Sequence, residues 1–349
     1  MIPRIKALIE PPATPDVSET NPTTVITDWQ RQLAEAITNP EQLFSYLNLP
    51  EQYLDAAKAS AALFPLKVTH SYLARIEKGN LFDPLLQQIL PLQQEADSHP
   101  DYQLDPVGDL NATVAPGLLH KYQSRVLIMP TSVCAIHCRY CFRRHYPYNM
   151  HKSSNNWRQA LEYISKDRSI SEVILSGGDP LSLSNNKLFR LLELIDNIPH
   201  IQRIRFHTRY PVVLPARINT ELSDYLHQLR SKVVIVIHCN HPNELAVDVK
   251  KATNLLNKKN ISLLNQSVLL ANINDNVSTL STLSERLFEF GILPYYLHQL
   301  DKVAGAQHFN VDDDSARSLL ESLRNTLPGY LLPRLVRENS GDLAKQPLF

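Results

Sequence analysis

Six short apolar runs follow one another between residues 125 and 298, and each predicts a β-strand. They are rich in β-branched and aromatic residues, as strands are. In chain order they are RVLIMPT (125–131), SEVILS (171–176), IQRIRFH (201–207), KVVIVIH (232–238), ISLLNQS (261–267) and ILPYYLH (292–298). The last five are centred about 30 residues apart, the length of one strand–helix unit. This repeat predicts a parallel sheet curled into a partial (β/α)6 barrel, with a doubly wound open sheet as the alternative.

The segments between these runs have helical periodicity. Two sets of apolar residues show the i, i+3, i+4, i+7 spacing of one helix face. They are Trp157, Ala160, Leu161 and Ile164, and then Leu188, Leu191, Leu192 and Ile195. Asp312 to Asp314 are predicted to cap a last helix that continues through Leu319, Leu320 and Leu323. A cysteine-containing loop lengthens the gap between the first two strands.

The N-terminal third has a different pattern. Residues 1–27 are rich in Pro and Thr without a period, and predict an extended arm. Residues 28–118 predict a helical extension and then, from residue 98, a connector rich in Pro, Asp and Gly. In the first helix Trp29, Leu33 and Ile37 share one face, with Thr27 as N-cap. Residues 119–349 then form the barrel and a C-terminal tail.

Polar residues gather where the predicted strands end. In βα barrels the chemistry lies at the carboxyl ends of the strands. Each of the six predicted strands has polar residues at or just after its end. This agreement strengthens the assignment of each of these residues to a common site. The residues are the cysteines after strand one, Ser176 to Pro180 after strand two, His207, Thr208 and Arg209 after strand three, His238 at strand four, Gln266 at strand five, and His298 and Asp301 after strand six.

Composition narrows the class of protein. The chain has 349 residues, with 35 basic and 35 acidic side chains and zero formal net charge. Balanced charge argues against general binding to nucleic acid or to membrane surfaces. No run of about 18 apolar residues predicts a membrane span, and the first residues lack the apolar segment of a signal peptide. Three of the four cysteines lie within eight residues, a spacing that does not suggest a framework of disulfides. We therefore expect reduced thiols and a cytoplasmic protein.

The stretch TSVCAIHCRYCFRRH contains Cys134, Cys138 and Cys141 in a C-x3-C-x2-C spacing. Three thiolates can hold three corners of a cubane iron–sulfur cluster and leave the fourth iron open to another ligand, whereas a structural site needs four protein ligands. The alternative is a zinc site completed by His137 or His145. Cys239 stands alone and predicts a small packed residue.

The cysteine spacing, with Tyr140 before the last cysteine, resembles the signature of the radical S-adenosylmethionine (SAM) enzymes. In that family the three cysteines hold a [4Fe-4S] cluster, SAM chelates the open iron, and an electron from the cluster cleaves SAM to a 5′-deoxyadenosyl radical. The resemblance implies that Gly177, Gly178 and Asp179 form the glycine-rich SAM-binding segment. It also assigns His238 and Gln266 to contacts with SAM, although a strand-end histidine by itself is more often a packed one.

Further segments resemble the lysine 2,3-aminomutases from about Gly117 to the C-terminus. They are GLLHKYQSRVLIM, CRYCFRRHYPY, TRYPVVLPARI, NHPNE, NQSVLL and PYYLHQLDKV. This resemblance implies a second cofactor, pyridoxal 5′-phosphate (PLP). It also implies a reaction in which the adenosyl radical takes hydrogen from the β-carbon of PLP-bound lysine. The amino group then migrates from Cα to Cβ.

The same resemblance assigns roles to individual residues. It implies that Lys345, in AKQPL, forms the covalent link to PLP, and that the acids Asp301 and Glu338 recognise the ε-ammonium of lysine. Lys121, Tyr122 and Arg125 correspond to the PLP-binding residues, and Arg143 to the arginine that holds the substrate carboxylate. The chain departs from the family by having Lys at position 121 instead of Arg, and Glu at position 338 instead of Asp.

No cysteine follows Cys239, so we expect no zinc of the kind that longer relatives carry. This feature and the segment YYLHQLDKVAGAQHF resemble the subfamily that serves elongation factor P, which converts (S)-α-lysine to (R)-β-lysine for a separate lysine ligase. The expected partners are free L-lysine, a low-potential electron donor and a further copy of the chain. The alternatives are β-lysine metabolism without elongation factor P, a 2,3-aminomutase for another amino acid, and a non-catalytic iron–sulfur sensor or binding protein.

Overall fold

The part of the chain that the structure describes is built around a ten-stranded sheet. The structure, a computed structural model, describes residues 27–148 and 157–348, so the predicted arm lies outside the described residues except for Thr27. The strands follow chain order across the sheet. They are β1 (Thr113–Ala115), β2 (Leu118–Tyr122), β3 (Arg125–Ile128), β4 (Glu172–Leu175), β5 (Arg203–Thr208), β6 (Lys232–His238), β7 (Ile261–Val268), β8 (Leu293–His298), β9 (Arg334–Arg337) and β10 (Gln346–Pro347).

Strands β3 to β8 coincide with the six apolar runs, and each pairs with the next in parallel. The partial barrel predicted from the sequence is therefore confirmed. Strand β9 extends the parallel set, whereas β1, β2 and β10 are antiparallel additions at the two ends. Because β10 runs back along β9, the C-terminal tail returns to the barrel wall, and this return places Lys345 beside the end of β9.

Within residues 27–148 and 157–348, twelve α-helices surround the sheet or precede it. They are α1 (Asp28–Ala34), α2 (Pro40–Leu47), α3 (Leu54–Leu63), α4 (His70–Leu73), α5 (Pro84–Gln87), α6 (Arg158–Lys166), α7 (Asn185–Asp196), α8 (Tyr210–Val213), α9 (Thr220–Gln228), α10 (Val247–Leu256), α11 (Val277–Glu289) and α12 (Asp313–Thr326). The apolar residues that the periodicity placed within α6 and α7 are largely buried: they are Ala160 and Ile164 in α6 and Leu188, Leu191, Leu192 and Ile195 in α7. Asp312 is the N-cap of α12 and accepts from the backbone N–H of Ser315, so the predicted cap is also confirmed.

One predicted helix face is wrong. Thr27 is the N-cap of α1, as expected, but the helix ends at Ala34, and Ile37 lies beyond it. The backbone of Ile37 pairs instead with Val68, with N···O distances of 2.8 and 3.0 Å. Because both backbone groups of Ile37 are used in this pairing, the helix cannot continue through Ile37, and Pro40 then starts α2.

The predicted connector, residues 98–118, is more ordered than its composition suggested. It contains β1 and the first residue of β2. The proposed division between an extension and a barrel at residue 118 stays a prediction, although the sheet already begins at Thr113. Helices α1 to α5 share one continuous apolar core with the barrel. Within the described residues, no helix has the length and apolarity needed to cross a membrane.

Candidate active site

The three cysteines lie in the irregular loop between β3 and α6, and all are half-buried. Burial, then Asp179 and the two other thiols, raises the pKa of Cys134 well above its usual range. Burial and the neighbouring Cys138 raise the pKa of Cys141 to about 11. The three sulfurs are thus within electrostatic reach of one another. The raised pKa values of Cys134 and Cys141 keep these two thiols protonated until a metal displaces the protons.

A single zinc ion and a cubane cluster need different arrangements of their thiolate ligands. A single zinc ion needs its ligands about 2.0–2.3 Å from one centre. Within residues 27–148 and 157–348, no group of three His, Cys, Asp or Glu side chains is arranged that closely. A cubane cluster spreads its thiolate ligands over different irons, so its cysteines stand further apart.

Gly177 and Gly178 bring the end of β4 directly against the cysteine loop. Gly177 has a φ of 104°, and a Cβ there would lie 2.8 Å from Cβ of Met129. A Cβ on Gly178 would lie 2.6 Å from the carbonyl oxygen of Val133. A side chain at either position would therefore push the loop away. The structure shows that both glycines serve the packing of the cysteine loop, while their predicted contact with SAM stays a prediction.

Asp179 follows the glycines and uses its carboxylate inside the protein. It accepts from Thr208 Oγ1 at 2.7 and 2.9 Å, from the backbone N–H of Arg209 at 2.7 Å and from that of Leu181 at 3.1 Å. Burial raises its pKa to about 6 in spite of these bonds. Asp179 thus ties the end of β4 to the end of β5, which is a structural task beside its predicted SAM contact.

His238 and Gln266 are partners on neighbouring strands. They are paired in the register of β6 and β7, and the Nε2 atoms of the two side chains lie 2.7 Å apart. Burial, helped by Arg209 and Arg143, lowers the pKa of His238 to about 3. The imidazole is therefore neutral at physiological pH.

The predicted PLP and substrate residues form one chain of alternating charges. Lys345 Nζ donates to Glu338 Oε2 at 2.6 Å, and Lys121 Nζ donates to Glu338 Oε1 at 3.0 Å. Lys121 also lies 2.6 Å from Asp109, to which Arg143 Nε donates at 2.6 Å. Four of the five members were predicted from the sequence, and the fold brings them together. The fifth, Asp109, links Lys121 to Arg143.

Glu338 and Asp301 form the acidic end of the site, and their pKa values are shifted in opposite directions. Burial opposes ionisation of Glu338, but Lys345 and Lys121 outweigh it and hold the pKa far below its usual range. The pKa of Asp301 is raised to about 7, first by burial and then by the negative charge of Glu338. The pair therefore has one fixed negative charge and one carboxyl that changes charge near neutral pH.

Tyr122 and Arg125 lie at the turn between β2 and β3. The Arg125 guanidinium is 4.1 Å from the centre of the Tyr122 ring. Burial and the charge of Glu338 raise the pKa of Tyr122. These two residues thus border the acidic end of the site, on the side of Lys121.

Two histidines near Lys345 have ring nitrogens without hydrogen-bond partners. They are the Nε2 atoms of His207, on β5, and of His298, at the end of β8, and neither has a partner among the described residues. Burial lowers both pKa values, and the charge of Lys345 lowers them further. Lys345 Nζ also lies 5.9 Å from the centre of the Tyr296 ring. Neutral donors and acceptors left unpaired here fit a polar cofactor attached at Lys345.

Sequence reasoning missed two groups of the site. Asp109 lies in the predicted connector, where Asp is ordinary turn chemistry, so nothing marked it out. Glu95 accepts from Arg139 Nη2 at 2.5 Å and from Arg144 Nη2 at 2.6 Å, and all three side chains are buried. Because Arg139 and Arg144 flank Cys141, Glu95 fixes the cysteine loop from the helical extension.

A groove of about 990 Å³ lies elsewhere, between the helical extension and the segments 271–276 and 308–309. Phe44, Tyr53 and Phe82 are among its lining residues. None of the predicted site residues lines it, so the groove is separate from the chemistry described above.

Comparison with known proteins agrees with this site. The model of the Radical SAM superfamily matches residues 128–264, which include the cysteine loop and strands β4 to β6. An L-lysine 2,3-aminomutase of Escherichia coli (strain K12) is 45% identical over 92% of this chain and 94% of its own length. That of Haemophilus influenzae is 44% identical over 90% of this chain and 94% of its own length. That of Acetoanaerobium sticklandii is 34% identical over 92% of this chain and 78% of its own length.

Fold and cysteine loop thus define a radical SAM enzyme. The chain belongs to the L-lysine 2,3-aminomutase family, whose members are isomerases. Membership implies a [4Fe-4S] cluster, SAM and PLP. The residues present fit these groups, because three thiols suit a cluster with one open iron and unpaired histidine nitrogens surround the lysine predicted to carry PLP.

Proposed function

We propose that this chain is an L-lysine 2,3-aminomutase that converts (S)-α-lysine to (R)-β-lysine. One observation carries the choice of substrate: the acidic end of the site holds a primary ammonium, that of Lys345, 2.6 Å from Glu338. The ε-ammonium of free lysine is the same chemical group. A substrate with an acidic side chain would meet the charge of Glu338 and be repelled.

Glu338 and Asp301 are proposed to bind the substrate ammonium once Lys345 is occupied. Lys345 can attach PLP only through a neutral amine, so Glu338 then loses one of its two cations. Lys121 remains as its partner at 3.0 Å. The vacant oxygen of Glu338 and the carboxylate of Asp301 then accept from the ammonium of lysine.

Arg143 is proposed to bind the substrate carboxylate. Its Nε is fixed by Asp109 at 2.6 Å, and its Nη1 donates to Ser176 Oγ at 3.2 Å. This leaves further N–H groups of the fork for a carboxylate, the geometry that arginine recognises best. Because Arg143 is two residues from Cys141, the bound carboxylate would lie close to the proposed cluster.

The remaining roles are those that the family resemblance implies. Lys121, Tyr122 and Arg125 are proposed to bind PLP, and Gly177, Gly178, Asp179, His238 and Gln266 to line the SAM site. When bound, the cluster and SAM supply a hydrogen-abstracting radical, and PLP supplies the conjugated group that lets nitrogen migrate. His207 and His298, kept neutral by burial, offer hydrogen bonds to a cofactor at Lys345 without adding charge.

We further propose that the product is used to modify elongation factor P through a separate ligase, in the cytoplasm and without a structural zinc site. The support is the similarity of the segment YYLHQLDKVAGAQHF to the subfamily that serves elongation factor P. The mass of elongation factor P in cells lacking this protein tests the link. An unchanged mass would restrict the proposal to β-lysine formation.

The function is tested by anaerobic reconstitution with iron, sulfide and PLP, followed by addition of L-lysine, SAM and a strong reductant. We expect β-lysine from lysine and no isomerisation of glutamate. A non-catalytic sensor would take up iron but yield no product. A Cys141→Ala variant is the control, because it removes one cluster ligand and should abolish turnover.

A further inference from the structure

Arg209 connects the cysteine loop with the helical extension. Its Nη1 donates to the sulfur of Cys138 at 2.8 Å and to Tyr140 Oη at 2.8 Å. On the other side Nη2 donates to Gln88 Oε1 at 2.6 Å and to Glu244 Oε2 at 2.8 Å. The Arg209 side chain is only 6% exposed. A sulfur of the proposed cluster and a carboxylate thus share one buried cation.

Arg209 does more than neutralise the charge of Glu244. The other oxygen of Glu244 already accepts from the backbone N–H groups of Asn240 and His241, at 2.9 and 3.1 Å, and from Gln88 Nε2 at 3.2 Å. Glu244 thus accepts from several donors besides Arg209. The Nε–H of Arg209, in contrast, has no acceptor among the described residues.

We propose that Arg209 is a positioning residue of the iron–sulfur centre, which donates to the Cys138 sulfur and thereby raises the reduction potential of the cluster. Reduction adds negative charge to the cluster and its sulfurs. A buried cation that donates to a ligand sulfur stabilises the reduced form more than the oxidised form. The electron donor therefore meets a cluster that is easier to reduce.

The same contacts give the helical extension a role. Gln88 lies just after α5, and Tyr72 of α4 receives a further bond from Arg209 at 3.3 Å. Gln88 also accepts from the side chain of Asn240 at 3.1 Å. These contacts with the extension hold the guanidinium of Arg209 in place, so that its Nη1 stays within hydrogen-bond distance of the Cys138 sulfur.

The test is a spectroelectrochemical titration of the anaerobically reconstituted full chain, followed by the electron paramagnetic resonance signal of the reduced cluster. The main variant, R209M with E244Q, removes both charges, so the net local charge is unchanged and the donor to sulfur is lost. We expect the reduction equilibrium to move at least tenfold toward the oxidised cluster, a fall of about 59 mV for a one-electron couple. R209K keeps the charge but not the planar fork, and a smaller fall is expected.

The matched control is R75M. Arg75 is also a buried arginine, its side chain 7% exposed, and it binds the backbone carbonyls of Val212 and Glu244 and the carboxylate of Asp248. It has no bond to a sulfur in the described residues, so its loss should leave the potential unchanged.

The inference rests on the proposed cluster at Cys134, Cys138 and Cys141, and its failure can be told apart from failure of that proposal. A wild-type chain that takes up no cluster contradicts both. A full cluster whose potential stays within threefold of wild type in R209M with E244Q overturns the role of Arg209 alone. If that variant takes up no cluster, R209K decides, because an unchanged potential there overturns the role equally.

Discussion

The ammonium of Lys345 donates to the carboxylate of Glu338 at 2.6 Å, although the two residues lie on either side of the turn between β9 and β10. The antiparallel return of the tail makes this contact. It brings the lysine predicted to carry PLP against an acid predicted to hold substrate. Each residue therefore influences the charge of the other.

Replacing Lys345 by Arg separates charge from covalent chemistry. Arginine keeps the cation beside Glu338 but cannot form the covalent link to PLP. We expect K345R to fold and take up iron as wild type does, to lose the visible absorbance of bound PLP, and to have no turnover. Borohydride reduction of the loaded protein, followed by peptide mass analysis, should place PLP on Lys345 in wild type only. PLP on another lysine of wild type would refute the assignment.

Replacing Glu338 by Gln should weaken binding of lysine. A hydrogen bond to a charged group contributes about 1.5–3 kcal/mol. We therefore expect KM for L-lysine to rise roughly tenfold to 100-fold, with a smaller change in kcat. The matched control is E193Q, because Glu193 lies on the outer helix α7. An unchanged KM in E338Q would remove Glu338 from the substrate site.

The pH dependence of KM for lysine should follow the ionisation of Asp301. Its pKa is raised to about 7, so it is mostly neutral below this pH and mostly charged above it. Only the charged form attracts an ammonium strongly, so KM for lysine should rise as the pH falls through about 7. In D301N this dependence should disappear. Steady-state kinetics between pH 6 and 8.5 check this, and a pH profile unaffected by D301N would contradict it.

Asp109 should couple substrate and cofactor binding. It lies between Lys121 and Arg143, both 2.6 Å away. We expect D109N to raise KM for lysine and to weaken PLP binding together, because both cations lose their anchor. S176A removes only the 3.2 Å bond to Arg143 and should raise KM alone. Titration with PLP separates the two, and equal PLP affinity in D109N and wild type would disprove the coupling.

Glu95 should stabilise the cysteine loop. Breaking a buried ion pair by removing one partner costs about 3–5 kcal/mol, and here two arginines lose the same carboxylate. The free energy of unfolding of E95Q should fall by that amount in urea denaturation of the cluster-free protein. E41Q, which breaks the exposed pair with Lys58, should leave it unchanged. Wild-type stability in E95Q would exclude the stabilising role.

The sequence predicted the sheet because its signals are local. The run KVVIVIH and the spacing of Leu188 and Leu191 depend only on near neighbours, and both predictions are confirmed. The strand-end rule assigned His238 and Gln266 to two successive strands, and the parallel register of β6 and β7 brings them side by side. These elements position most of the candidate site.

Contacts that depend on packing were beyond the sequence. Asp109 meets Arg143 across 34 residues and Glu95 meets Arg139 across 44, and no spacing rule joins a connector or an extension to a loop. Ile37 fits a helical spacing, but α1 ends at Ala34 and the backbone of Ile37 pairs with Val68 instead. Gly177 and Gly178 also pack directly on the cysteine loop, a contact that the sequence did not reveal, and their predicted contact with SAM stays a prediction.

One isotope experiment tests the central claim most directly. The reconstituted chain is given lysine labelled with ¹⁵N at the α-amino group, together with SAM and a reductant, and the product is analysed by nuclear magnetic resonance. Our account predicts (R)-β-lysine with the label on Cβ, formed by wild type and not by K345R. Absence of β-lysine, or release of the label as ammonia, would contradict it.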